Sequence, residues 1–404
     1  MRFATVTNAL ENAAFPMGAD FSFSPVEQSN PLSAVFPGAE LVVGYRGEVI
    51  YQHAVGIKAP AVTGAAERVT EGDVYDVASL TKPMVTAALL MRLCEKFQVS
   101  VDTAVNDLLD ISDKTKILPR FKLSETTLAD ILAHQAGFPA HIKFYQGFRP
   151  AEIVNPVARE KFRRSVLEMI AAEQQPQLYR QSAIYSDLGY IYLGALMPLL
   201  YQEFTGDSLT LAELAGRYVF EPLCLTDTSY RPLLVASSVE RVVPTGLCAW
   251  RERTLDGMLC GEVHDENAWA LGGIAGHAGV FSTAIDVYRF AAEMLRARQG
   301  KSDFLSQSVM KRFWSKSVVV PHSTWALGWD TPTPPLAGVV RSSAGKYFSS
   351  ESFGHLGFTG TSIWIDTEAE VVVVMLSNRV CPSVENNRMK AFRPYIHDLV
   401  MQEL

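Results

Sequence analysis

The sequence predicts a mixed fold, α/β in the broad sense and α+β in its layering: an antiparallel sheet built from both chain ends, flanked by terminal helices, with a large helical lobe inserted. Three observations carry that expectation. Strand-like segments at 39–44 and 49–55 flank a tight turn at Arg46-Gly47, which reads as a hairpin. The stretch from about 100 to 330 reads as helices and loops, punctuated throughout by Gly and Pro. Strand chemistry then returns at 361–366 and 371–377, where Val371-Val372-Val373-Val374 lacks alternation and so reads as a central strand buried on both faces.

Each end supplies a helix. Phe3, Val6, Leu10 and Ala14 recur at helical spacing before Pro16, which predicts an amphipathic helix over residues 1–14. A closing helix is expected over 383–404. In the middle, the clearest helical segments are 128–133, 165–172, 190–200, 211–219 and 285–296. The chain, 404 residues and 48% hydrophobic, is expected to form one domain over 1–404. Its sheet lobe would comprise about 1–78 and 330–404, and its helical lobe about 79–329. No internal repeat or long flexible linker interrupts it.

Composition excludes some functions. With 36 basic against 43 acidic residues, a net charge of −7 and no long run of one sign, the chain lacks the electrostatic footprint of a nucleic-acid binder. Five cysteines, an odd number without CxxC spacing, predict reduced thiols, with a Cys248–Cys260 pair left open. The N-terminus has no continuous apolar segment, which predicts a cytoplasmic protein without membrane insertion.

The helix that organises the chain begins at Val77-Ala78-Ser79-Leu80-Thr81-Lys82 and continues through Pro83 to Met91, apolar on every side. Such a helix must be buried, and it is far shorter than the about 20 residues a bilayer requires. Pro83 fits only in the opening turn, which puts Ser79 at the N-terminus. Residues three apart share a helix face, so the Ser79 hydroxyl can meet the Lys82 ammonium. Burial would pull the lysine down from its ordinary pKa of about 10.4, so that it could take the serine proton. Ser-x-x-Lys alone equally describes a helix cap beside a surface lysine; the apolar run behind it favours the catalytic reading.

Two further segments supply partners. Tyr185-Ser186-Asp187 precedes a helical stretch, and its phenol could shuttle protons. His355-Leu356-Gly357 sits on or beside a late sheet edge, where its glycines allow a ligand backbone to approach. In order and spacing, these three segments resemble the motifs of the serine β-lactamase and penicillin-binding protein superfamily, in its class C and DD-peptidase-like branch. The stretches Leu128–Pro139, Phe220-Glu221-Pro222-Leu223 and Gly279–Ala284 are similar to that branch too, so the resemblance covers about residues 35 to 380.

That resemblance implies the β-lactamase/transpeptidase-like fold and no cofactor. It makes Ser79 the acylated nucleophile, Lys82 its activating base and Tyr185 the proton relay, with the backbone N–H groups of Ser79 and Phe358 as oxyanion hole. Two departures from the family pattern stand out. Asp187 occupies a position that often carries Asn, and His355 one that often carries Lys; both make the pocket less positive. A carboxylate and a half-titrated imidazole are poor hosts for anionic penicillins, so β-lactamase activity ranks low.

A second block, Gly261–Ala268 followed by Leu271–Gly279, resembles a subgroup that includes N-acetylmuramoyl-L-alanine amidases. In that reading His264, Asp265 and His277 join Asp187, His355 and Gly357 in contacting substrate. Glu262, His264, Asp265 and His277 supply metal-ligand types without a recognised ligand spacing, so no metal is assigned. A structural loop is the remaining reading. His53, His134, His141, His322 and His397 read as structural or surface groups, His134 for loop hydrogen bonding.

The expected function is a serine hydrolase that forms an acyl-enzyme with a small amide or peptide, best a peptidoglycan-derived (muropeptide) amide. The alternatives are a broad carboxylesterase using the apolar Phe353, Phe358 and Trp364 neighbourhood, a low-activity β-lactamase or DD-carboxypeptidase, and a non-catalytic binding protein on the same fold.

Overall fold

A computed structural model of the chain describes residues 2–15, 32, 34–59, 67–113, 117–149, 155–230, 239–248, 251, 258–334, 342–381 and 383–404. Its main sheet has five strands in the order β2-β1-β8-β7-β6: β1 (Gly38–Tyr45), β2 (Glu48–Gly56), β6 (Ser352–Leu356), β7 (Ser362–Asp366) and β8 (Val371–Ser377). Every pairing is antiparallel, with Val42 opposite Val374 and His355 opposite Ile363. Strands from both ends of the chain therefore share one sheet, with β8 in the middle and β6 at an edge.

The missing alternation in β8 has a direct cause. Val372, Val374 and Leu376 pack into the core shared with the helical region, while Val371, Val373 and Met375 pack against α1 (Ala4–Ala13) and the C-terminal helix. Both faces are covered, so every residue of β8 is buried. Between the strands run α2 (Ala88–Phe97), α3 (Val105–Ser112), α4 (Leu128–Leu132), α5 (Pro156–Ala172), α6 (Leu188–Thr205), α7 (Leu211–Ala215), α8 (Glu266–Ala270), α9 (Ala284–Arg298) and α10 (Gln307–Phe313). The closing helix α11 spans Met389–Glu403. No helix among the described residues is long and apolar enough to cross a membrane.

Several boundaries differ from expectation. Helix α11 begins six residues later than the pattern suggests, because the Asn386 side chain is bonded to the carbonyls of Ala34 and Val35 in the turn before it. Helix α5 starts nine residues earlier, capped by Asn155, whose side chain accepts from the N–H groups of Val157 and Ala158. A second sheet was not expected. It has the order β3-β5-β4 and is formed by β3 (Tyr75–Asp76), β4 (Ser229–Tyr230) and β5 (Val280–Ser282). Strands of two or three residues are too short to show a period.

The organising helix is not continuous. Ala78–Leu80 is a 3-10 turn, Lys82–Ala87 a π-helical turn, and regular α-helix starts only at Ala88. Pro83 has no N–H to offer an α-helical ladder, and wide turns of this kind recur at functional sites. Burial is as expected: Thr81 to Met91 are all buried.

Candidate active site

The small sheet places Ser79. Val77 N–H donates to the Val280 carbonyl at 3.1 Å, and the chain then enters Ala78 with a φ of 50°, a left-handed conformation that costs a non-glycine residue energy. Asp76 holds it there: one carboxylate oxygen accepts from Ala78 N–H at 2.8 Å, and the other from His264 N–H at 2.6 Å. Thr81 Oγ1 donates to the Ala78 carbonyl at 2.7 Å. The Asp76 carboxyl is pushed up to about 6, chiefly by burial.

The turn after β6 is stapled to the same segment. Thr359 Oγ1 donates to the Asp76 carbonyl at 2.7 Å, and Thr361 Oγ1 to the Val77 carbonyl at 3.0 Å. At Gly357, a Cβ would fall 1.9 Å from Thr361 Oγ1 and 2.6 Å from the Val77 carbonyl oxygen. Its lack of a side chain lets two protein segments meet. The Phe358 ring is 53% exposed, and its carbonyl accepts from Arg379 Nε at 2.8 Å. Phe353 and Trp364 do not join it: they are buried on opposite faces of the sheet, so the expected apolar wall is not formed.

Lys82 is the centre of the cluster. Its side chain is fully buried, and Nζ donates to Ser79 Oγ at 3.1 Å, Tyr185 OH at 2.7 Å and Asp187 Oδ1 at 2.7 Å, with the His277 carbonyl at 3.4 Å. The ammonium also lies 4.7 Å from the Tyr185 ring centroid and 5.5 Å from that of Tyr190. Here the structure corrects the sequence reading. Burial does pull the amine down, but Asp187 and Tyr185 outweigh it and the net shift is upward, so the lysine rests as an ammonium. A counter-ion 105 residues away in sequence reverses the sign that burial alone predicts.

The partners share that electrostatics. Burial works against the Asp187 carboxylate, yet Lys82, His141 and His277 hold it far below the usual range. Tyr185 is raised, because burial outweighs the help of Lys82, and stays a neutral phenol. His355 lies 2% exposed on the edge strand, with Nδ1 2.9 Å from the Leu356 carbonyl and Nε2 buried without a partner. Burial, then Lys82, push it down to about 3, so it is neutral rather than half-titrated.

Four rings form a wall at the tyrosine: Tyr185 stacks on Trp325 at 5.4 Å, His134 lies 4.7 Å from Tyr185 and 4.5 Å from Trp325, and His355 lies 6.0 Å from Tyr185. His134 Nδ1 accepts from Ser186 N–H at 3.1 Å, the loop hydrogen bond expected of it.

The second block reaches the cluster from behind. Asp265 caps α8 by accepting from Ala268 N–H at 2.7 Å, and its Oδ1 is 2.8 Å from His277 Nε2. His277 is 1% exposed, which keeps its ring from an open substrate face. The His264 ring lies 5.8 Å from Phe358 and is pushed down to about 4, chiefly by burial. Glu262 faces Arg251 at 3.6 Å. Among the described residues, no group of three or more His, Cys, Asp or Glu is placed to hold a metal ion. Cys248 and Cys260 are thiols, and Cys260 donates to the Val242 carbonyl at 3.7 Å.

Sequence reasoning passed over four residues that the structure brings here. Asp76, Trp325 and Arg379 carry no motif of their own. His141, read as structural or surface, places Nδ1 3.5 Å from Asp187 Oδ2. Its one signal is its place in the loop that follows the Gly137 turn.

Comparison with known proteins accords with this fold. A protein of Escherichia coli O157:H7 with a provisional D-alanyl-D-alanine carboxypeptidase name is 28% identical over 375 residues, which cover 87% of this chain and 80% of that one. Among solved structures, the octameric penicillin-binding protein homologue from Pyrococcus abyssi superposes with a TM-score of 0.64 at 18% identity, over 91% of this chain and 74% of that one. The D-amino acid amidase from Ochrobactrum anthropi SV3 superposes with a TM-score of 0.62 at 17% identity, over 99% and 98%. The model of the Beta-lactamase family matches residues 23–393, all but the two ends of the chain, and the protein therefore belongs to that family.

Proposed function

We propose that this serine hydrolase forms an acyl-enzyme at Ser79 with a small amide or peptide, and that its substrate is a peptidoglycan-derived amide of the muropeptide class. The observation that carries the reading is the reach of one group: Lys82 Nζ is within hydrogen-bond distance of both Ser79 Oγ and Tyr185 OH. Once Lys82 has released a proton to solvent, its neutral amine takes the Ser79 proton as Ser79 Oγ bonds to the substrate carbonyl carbon; the C–N bond then breaks and that proton passes by way of Tyr185 to the leaving amine. Water then cleaves the ester and restores Ser79. The backbone N–H groups of Ser79 and Phe358 receive the oxyanion; one such donor contributes about 2.7 to 4 kcal/mol.

The substrate class follows from charge. Lys82 is neutralised by Asp187 and the His355 ring is uncharged, which disfavours a carboxylate next to the scissile bond. That supports an internal amide over a penicillin. A D-alanyl-D-alanine terminus is the second reading, favoured by the name of the Escherichia coli relative. The five cysteine thiols support a reducing compartment, the cytoplasm.

Intact-protein mass spectrometry with product analysis tests the assignment, using a muramoyl-L-alanine peptide, a D-alanyl-D-alanine peptide, p-nitrophenyl acetate and a penicillin. An adduct or product formed by the wild type and absent from Ser79→Ala supports it and names the substrate class. Turnover that survives Ser79→Ala overturns it.

A further inference from the structure

Asp187 has two oxygens and two basic neighbours. Oδ1 accepts from Lys82 Nζ at 2.7 Å, while Oδ2 lies 3.5 Å from His141 Nδ1. Lys82 is fully buried, whereas the His141 side chain is 41% exposed and exchanges protons with solvent. The carboxylate is thus a bridge between an enclosed ammonium and an imidazole at the mouth of the site.

The loop that carries His141 is fixed on both sides of it. Ser186 Oγ donates to the Pro139 carbonyl at 2.7 Å and Asp187 N–H to the Ala140 carbonyl at 3.3 Å, while Asn267 Nδ2 donates to the Ile142 carbonyl at 2.8 Å. Backbone bonds to the segment that holds Asp187, and to α8, set the imidazole against the carboxylate.

We propose that His141 is a positioning residue: by sharing Asp187 with Lys82 it sets how readily the lysine gives up its proton, so that protonation of His141 favours the neutral Lys82 needed to accept the Ser79 proton. The inference rests on the assignment of Lys82 as proton acceptor. The linkage is reciprocal and balanced in protons. A proton taken by His141 from solvent turns Asp187 toward the imidazolium and weakens its hold on the ammonium, which releases its proton to solvent.

The surroundings give the sign. His141 faces Asp187 from the segment before α6, and Asp265 and Glu266 from the start of α8; these acids raise it above its ordinary value against the effect of burial, with Asp187 the largest influence. Asp187 faces Lys82, His141, His277 and Asp265. Around Lys82 stand the Tyr185 phenol and the His134 and His355 rings, both driven neutral by burial. His141 is therefore the exposed titrating group on the bridge.

The test compares kcat/KM for p-nitrophenyl acetate between pH 6 and 9 in the wild type, His141→Gln and His141→Arg, with Ser79→Ala as blank. The ratio of His141→Gln to wild type should be near one at pH 9 and fall to about one tenth at pH 6, the effect of one pH unit in the lysine. His141→Arg, a permanent cation, should restore the rate at pH 6. A ratio that is constant across the range would mean a merely structural role and overturn the proposal. A readout independent of turnover is the NMR titration of ring-labelled histidine, with the His141 signal identified by its loss in His141→Gln. Lys82→Ala, which leaves Asp187 to the imidazole, should raise the His141 pKa, and Asp187→Asn should lower it. If neither variant moves it, the coupling does not exist, whatever the activity. If it moves but Ser79→Ala still turns over ester, the coupling stands and the functional assignment fails.

Discussion

Lys82 and Asp187 form an ion pair at 2.7 Å between a fully buried ammonium and a carboxylate whose side chain is 15% exposed. Removing one partner of such a pair leaves an uncompensated buried charge, which costs about 3–5 kcal/mol, whereas replacing both by apolar groups is often neutral. Asp187→Asn should therefore destabilise the protein by that amount in urea denaturation. Lys82→Met combined with Asp187→Asn should recover much of the loss. The pH dependence has a fixed sign. A carboxylate held below its ordinary range contributes fully above about pH 4, and the contribution is lost as pH falls. Asp187→Asn should flatten the acid side of the stability profile.

Glu40 on β1 behaves in the opposite way. It is fully buried, and Gln52 Nε2 donates to one of its oxygens at 2.8 Å. Burial raises its carboxyl to about 7. A raised carboxyl favours the fold below its ordinary value of about 4.5, and that contribution is lost as pH rises through about 7. Glu40→Gln keeps the bond from Gln52 and removes the charge. Thermal denaturation should show it up to about 3 kcal/mol more stable than wild type at pH 8, and close to wild type at pH 4.5.

The Gly357 turn tests how tightly the two halves of the site are registered. Thr361 Oγ1 is already committed to the Val77 carbonyl and cannot swing away from a new Cβ at 1.9 Å without breaking the staple. Gly357→Ala should displace Phe358 relative to Ser79. A misplacement of about 1 Å can cost about 10²-fold in rate. The expected result is that loss in kcat for p-nitrophenyl acetate with the far-ultraviolet circular dichroism unchanged; wild-type kcat would show that the close approach has no bearing on the chemistry.

How much of this was legible in the sequence depends on whether the signal was local. Ser79 and Lys82 are neighbours on one turn, and the buried run after them is readable from composition, so the pair and its burial follow from the sequence. The β8 valines declare a strand covered on both sides. Asn155 with Pro156 is a local cap signal too, and explains where α5 starts. The charge state of Lys82 is not local. It depends on which oxygen lies 2.7 Å away, and only tertiary structure brings Asp187 there. Trp325 and His141 likewise reach the cluster through folding, and the two-residue strand that fixes Asp76 leaves no periodic trace.

Asp76 gives the last prediction, in which activity and stability part company. As a carboxylate it accepts two N–H groups, from Ala78 at 2.8 Å and His264 at 2.6 Å, and so holds the left-handed turn immediately before Ser79. Its carboxyl is raised to about 6 by burial, so protonation favours the fold: its contribution is full below its ordinary value of 3.8 and is lost as pH rises through about 6. The protonated form keeps one good acceptor and turns a hydroxyl toward the other N–H. Activity should therefore fall as pH drops below about 6, while this group makes the protein more stable over the same interval. Asp76→Asn should imitate the acid form at every pH, with one acceptor lost and an amide N–H opposing a backbone N–H. Its kcat for p-nitrophenyl acetate should be about tenfold lower, the effect of one neutral hydrogen bond in the positioning of Ser79, and its pH profile should lose the inflection near 6. Parallel thermal denaturation separates the two effects, because a purely structural Asp76 would lower melting temperature and activity together.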